Sequence, residues 1–130
     1  MPFDLDPTFL ADAEAELGAT LPASYGQSML RENGGEVDGG GDRWVLYPIA
    51  DRSDRRRFSR TCNHIIEETR GLRRWGRFPA EGLAIAGNAA GDQLVLLKRG
   101  SAYGPEIYDW SHETGALVEI AGDFSQLRRV

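Results

Sequence analysis

Three features of the sequence predict an α+β fold, in which a mostly antiparallel sheet runs as a meander and is packed by three to four helices. First, short apolar runs bounded by Gly, Asn, Asp or Pro fill the last third of the chain: Gly82 to Gly87, Gln93 to Leu97 and Glu106 to Trp110. Runs of that length between turn residues mark antiparallel strands joined by tight turns. Second, two capped helical patterns precede them, Asp6 to Gly18 and Leu21 to Asn33. Third, Leu94-Val95-Leu96-Leu97 is apolar on both faces. That pattern predicts a central strand, covered by helices on one side and by a loop or a partner on the other.

The first helix takes Asp6 as N-cap, Pro7 at the first helical position and Gly18 as its stop, with Leu10, Ala13 and Leu17 as the inner stripe. The second begins at Leu21-Pro22, carries Leu21, Tyr25 and Met29 four residues apart with Leu30 beside them, and ends at Asn33-Gly34-Gly35. Asn and Gly accept the left-handed conformation that terminates helices. The two amphipathic helices are expected to form a hairpin. Glu36 to Asp42, with three consecutive glycines and the carboxylates of Glu36, Asp38 and Asp42, reads as an acidic loop. A first strand, Trp44 to Ile49, follows. Pro48 has no N–H to give a ladder and places the end of that strand at a sheet edge.

A third helix is expected from about Ser59 to Arg70, with Cys62, Ile65, Ile66 and Thr69 on one face and Cys62 as a small core residue. Arg73, Arg74, Trp75, Arg77 and Phe78 follow in a connecting loop. In the meander, Leu83 and Ile85 alternate with alanines, and Asn88 to Asp92 makes the first corner. Ser111 to Gly115 is a hairpin turn leading to a last strand, Ala116 to Ala121. Asp123 caps a short terminal helix, Phe124 to Arg128, in which Phe124 and Leu127 point inward.

A chain of 130 residues supports one ordinary core, so a single domain over 1–130 is expected, without repeats or internal linkers. The 41% hydrophobic and 27% charged content is globular, and no apolar run approaches the roughly 20 residues of a bilayer crossing. The acidic start, Met1 to Asp6, lacks the basic and apolar segments of a signal peptide, so a cytoplasmic location is expected. Cys62 is the one cysteine and has no partner for an intramolecular disulfide.

Net charge is −5, yet residues 52 to 78 hold nine arginines against Asp54, Glu67 and Glu68, which leaves the remainder strongly acidic. Basic residues interleaved with aromatics invite a nucleic-acid reading, but a duplex binder needs a basic field that the acidic whole does not supply. A solvated helix face with arginines pairing to carboxylates elsewhere is the expectation.

Catalytic sets are hard to assemble. The two histidines, His64 and His112, show none of the usual zinc spacings with each other or with Cys62. His64 lies two residues from Cys62, and on a helix such side chains point in different directions. Ser111 and His112 are adjacent in a turn and unsuited to a nucleophile–base pair. The glycine loop lacks a following Gly-Lys-Ser/Thr, and its carboxylates would repel a phosphate. Asp92 and Asp109 are candidates for paired carboxylates, although nothing in the sequence marks either as perturbed. No enzyme activity, metal or cofactor is expected.

The order of motifs is more specific than any one of them. Leu21-Pro22-x-x-Tyr25, Leu30-x-x-Asn33-Gly34-Gly35, Leu46-Tyr47-Pro48-Ile49, Leu83-x-Ile85-Ala86-Gly87-Asn88 with Gly91-Asp92, Ile107-Tyr108-Asp109-Trp110-x-His112-Glu113 and Phe124-x-x-Leu127 follow one another in the sequence. Together they resemble the SUKH superfamily, which includes bacterial immunity proteins and the fungal Smi/Knr-type regulators of cell-wall synthesis. Met29 departs from that pattern, where an aromatic is common, as does the arginine-rich segment. The compact bacterial form is the closer comparison.

The resemblance implies a non-enzymatic immunity protein that binds and neutralises a toxin delivered between competing bacteria, many such toxins being nucleases. The alternative is a regulatory or scaffold protein with a cellular partner. An acidic inhibitor gains association rate against a basic nuclease groove. The expected partner-binding residues are therefore the acidic loop Glu36, Asp38 and Asp42 and the turn residues Asp92, Asp109 and Glu113, with Trp44 or Trp110 as aromatic anchor if exposed. Tyr103 and the arginine segment are further candidates, because interface hot spots favour Trp, Tyr and Arg.

Overall fold

A computed structural model of the chain describes residues 2–130. The first helix, α1 (Pro7–Leu17), starts where the Asp6 carboxylate accepts from the Thr8 N–H at 2.9 Å and satisfies one of the free donors of the first turn. It stops at Gly18, whose φ of 68° is open to glycine and strained for other residues. The Lys98 ammonium donates to the Leu17 carbonyl at 2.9 Å and closes that end from across the fold. Helix α2 (Ala23–Arg31) buries Tyr25 and Met29 completely, as their four-residue spacing predicts.

Glu36 to Asp42 is a β-hairpin and not an open loop. Strand β1 (Glu36–Gly39) pairs with β2 (Asp42–Leu46), and the two residues between them, Gly40 and Gly41, have φ of 59° and 80°. Two left-handed residues make the tight turn whose twist matches paired strands. The three glycines thus signal a hairpin more than flexibility. Strand β2 ends at Leu46, short of Ile49, and lies inside the sheet between β1 and β3 (Gly82–Gly87). Pro48 marks where the chain leaves the sheet, not an edge strand.

The third helix is two. Helix α3 (Arg55–Arg60) and α4 (Ile65–Arg73) are separated by a turn in which the buried Thr61 hydroxyl donates to the Arg57 or Phe58 carbonyl and accepts from the Asp51 N–H. The His64 ring Nδ1 then accepts from the Glu67 N–H at 3.3 Å and starts α4. Cys62 sits in this turn, exposed, so its placing in the core is corrected. Two strong local caps outweigh the continuous 3.6-residue pattern there.

The remaining strands are β4 (Gln93–Arg99), β5 (Ala102–Tyr103), β6 (Ile107–Trp110), β7 (Leu117–Ala121) and β8 (Arg128–Arg129). All pair antiparallel in the order β7-β6-β4-β3-β2-β1-β8, with β5 on the far end of β4. The predicted terminal helix shrinks to one 3-10 turn, Phe124–Gln126, and the chain then crosses to the opposite edge, where Arg128 and Arg129 pair with Asp38 and Val37. Such a crossing requires a curled sheet. Close approaches at the hairpin show the curl: a Cβ added at Gly40 would lie 3.0 Å from Ile120, and one at Gly39 would lie 2.5 Å from Leu127.

The inner face carries Val37, Trp44, Leu46, Leu83, Ile85, Leu94, Leu96 and Ile107 against Tyr25 and Met29 of α2. Phe124 meets Tyr25 edge to face at 5.3 Å, and the Ser24 hydroxyl donates to the Asp123 carboxylate at 2.8 Å, which ties the C-terminal turn to α2. On the outer face Phe78, Ala84, Val95 and Trp110 form a second cluster. Strand β4 is therefore covered on both faces, by helices and by the segment after α4. Where β2 has left, the Ala84 N–H of β3 has no strand partner and donates instead to the Thr69 hydroxyl of α4 at 2.8 Å.

Candidate functional site

Three turns meet at one end of the curled sheet: Gly40–Gly41, residues 88–92 between β3 and β4, and residues 111–116 between β6 and β7. Antiparallel register places them there, and with them the acidic residues Asp42, Asp92, Asp109 and Glu113. Asn88 organises the middle turn. Its carbonyl oxygen accepts from the N–H groups of Ala90 and Asp92, and its amide donates to the Asp42 carboxylate at 2.7 Å. His112 reaches Asp92 from the third turn, with ring Nδ1 at 2.8 Å from the carboxylate.

Asp109 is half-buried on β6 opposite Leu94, and among the described residues its carboxylate has no hydrogen-bond donor or cation. Burial pushes it above the ordinary carboxylate range, and the nearby charges of Asp92 and Asp42 push the same way. Asp92 moves oppositely: the hydrogen bond from the His112 ring holds it below that range. Asp109 thus feels the charges of Asp92 and Asp42, and Asn88 links the Asp42 carboxylate to the turn that holds Asp92.

The other expected residues separate from this group. Glu36 is exposed on β1 opposite Val45, at the far end of that strand from the Gly40–Gly41 turn. Asp38 is neutralised within the fold by Arg43 and Arg128, each at 3.0 Å, which hold its carboxyl below the usual range. Neither expected tryptophan is an exposed anchor. Trp44 is 1% exposed, with its indole N–H on the Gly39 carbonyl, and Trp110 is 2% exposed beneath Phe78. Each falls on an inward or covered face of its strand.

Sequence reasoning missed Trp75, the most exposed large apolar side chain at 75%. It follows α4, two residues before Arg77, whose guanidinium donates to the Glu113 carbonyl beside the acidic turns. Its signal was position: an aromatic among Arg74, Gly76 and Arg77, just past the end of α4.

Among the described residues no group of His, Cys, Asp and Glu is arranged to hold a metal ion. No helix among them is long and apolar enough to cross a membrane. Cys62 and His64 have separate roles, one exposed and the other capping α4, so they form no thiol–imidazole pair.

The arrangement defines an α+β domain with an antiparallel curled sheet and an acidic face built from its turns. Residues 5–129 match the model of the SMI1 / KNR4 family (SUKH-1), and the chain belongs to that family. No curated protein matches the chain.

Proposed function

We propose that this chain is a non-enzymatic, cytoplasmic immunity protein that binds and neutralises a polymorphic bacterial toxin of the nuclease class through the acidic end of its sheet. The observation that carries this reading is that Asn88 ties the Asp42 carboxylate to the turn holding Asp92, beside β6, whose Asp109 is pushed above the ordinary carboxylate range by burial and then by the charges of Asp92 and Asp42. Asp42, Asp109 and Glu113 form no ion pair among the described residues. Like charges held together in a half-buried setting destabilise the free protein, and a cationic partner surface relieves that repulsion. A nuclease groove, shaped to hold phosphates, is such a surface.

The test is stopped-flow association with the toxin domain recovered by pull-down from the native organism. Replacing Asp42 and Glu113 by lysine slows association about tenfold at low salt and flattens its salt dependence. Equal rates at every ionic strength would remove this face from the interface. Capture of cell-envelope proteins alone would favour a Smi/Knr-type regulatory role.

A further inference from the structure

A second site lies at the other end of β1 and β2. A cleft of about 450 Å³ opens between the N-terminal segment and the α3–α4 turn, lined among others by Phe3, Gly35, Asp51, Arg57, Arg60 and Asn63. That volume is within the roughly 300–1,000 Å³ of small-ligand clefts. Both guanidinium groups sit on one aromatic ring: Arg57 lies 4.6 Å and Arg60 5.1 Å from the centroid of Phe3. They are one helical turn apart on α3, so the ring holds two positive charges side by side.

The two arginines differ in what else they touch. Arg57 is anchored, with Nη1 3.4 Å from the Asp51 carboxylate and 3.3 Å from the Asp4 carbonyl, and Nη2 3.8 Å from the Asp4 carboxylate, so that Arg60 is the guanidinium without a counter-charge. Asp51 is 2% exposed and also accepts from the Ser53 N–H at 3.0 Å and its hydroxyl at 2.6 Å, so the anchor is itself held firmly. Arg60 makes no hydrogen bond and no ion pair among the described residues. The Phe3 ring draws the Arg60 guanidinium to the cleft, and its N–H donors have no partner among the described residues. A preoriented guanidinium fork with vacant donors, beside a second one and at the mouth of a polar cleft, matches a compact oxyanion.

We propose that this cleft binds a phosphate group, carried by the free anion or by a phosphorylated side chain, with Arg60 as the principal donor and Arg57 as the oriented second cation. A concave site of this size accepts a phosphate and the few atoms that carry it. A nucleic-acid backbone would instead need an extended basic track, which the −5 chain does not offer. The inference stands apart from the acidic end and does not depend on the immunity reading.

The experiment is a titration of the full ¹⁵N-labelled chain at constant ionic strength with inorganic phosphate, O-phosphoserine and succinate, following the arginine Nε–H resonances. Saturable shifts at Arg57 and Arg60 are expected with both phosphates and not with succinate. Arg60→Gln, which removes no hydrogen bond of the fold, weakens binding about tenfold, whereas Arg56→Gln, outside the cleft, controls for lost charge and leaves the affinity unchanged. Equal affinity for the two phosphates assigns the free anion as ligand, and tighter O-phosphoserine assigns a phosphorylated side chain of a partner. Shifts that remain linear, that match those with succinate, or that persist unchanged in Arg60→Gln overturn the proposal, as does tighter binding of a single-stranded oligonucleotide that ignores that substitution.

Discussion

His112 binds Asp92 twice, through its backbone N–H at 3.2 Å and its ring Nδ1 at 2.8 Å, and so fastens the turn after β6 to the turn before β4. The ring hydrogen bond is the main reason that Asp92 stays below the ordinary carboxylate range. An acid whose folded pKa is depressed stabilises the fold above its unfolded pKa of about 3.9, and that contribution is lost as pH falls through the folded value. Asp92→Asn is expected to cost at most about 1 kcal/mol at neutral pH, because the pair is partly solvated. Thermal midpoints of variant and wild type should converge at acid pH; a gap of constant size would show that the carboxylate charge is not responsible.

Asp109 carries the opposite sign. Its folded pKa is raised by burial, then by Asp92 and Asp42, so its ionisation destabilises the fold and stability rises as pH falls through that folded value. Asp109→Asn is expected to raise the thermal midpoint at pH 7 by about 2 °C. The same variant should bind a cationic partner more weakly. Higher stability with lower affinity, read by calorimetry on one preparation, is the signature of charge kept for binding; both falling together would mean a packing role.

Gly87 and Tyr47 exclude a side chain between them. A Cβ at Gly87 would lie 2.5 Å from the Tyr47 hydroxyl, which donates to Gln93 at 2.8 Å across the sheet. Gly87→Ala is expected to cost about 1–3 kcal/mol in urea denaturation. Tyr47→Phe removes the clashing oxygen, so the double variant should lose less than the sum of the two single losses. Simple additivity would place the strain elsewhere.

Trp75 is exposed beside the Arg77 contact to the acidic turns. Trp75→Ala should leave stability within about 0.5 kcal/mol of wild type and cost about 2 kcal/mol of partner affinity, roughly thirtyfold. Unchanged affinity in a titration with the captured partner would exclude this loop from the interface.

Local signals were readable in the chain as written. Asp6, Gly18 and Asp123 act on backbone groups within a few residues, and each caps or stops the element expected of it. Period-two alternation marked the meander, and Leu94 to Leu96 is buried on both faces as its composition requires. The single helix expected from Ser59 does not form, because the Thr61 and His64 side chains bond the local backbone and break the chain into two helices despite a continuous apolar period. Of the acidic residues singled out from the sequence, Asp92 and Glu113 stand in turns as expected, whereas Asp109, expected in a turn, lies on β6, and Asp42, expected in an open loop with Glu36 and Asp38, begins β2.

What the amino-acid sequence determined was the type and order of most elements, because helix caps, turn glycines and apolar periods act over fewer than about ten residues. Only the tertiary structure decided partnerships across the chain: Arg128 on Asp38, Asp42 beside Asp92 and Asp109, and Phe3 under Arg57 and Arg60. Those depend on strand register and on how far the sheet curls. Register follows from the summed burial of many side chains on one face, so no single residue announces it. The burial of Trp44 and the exposure of Trp75 are consequences of that sum.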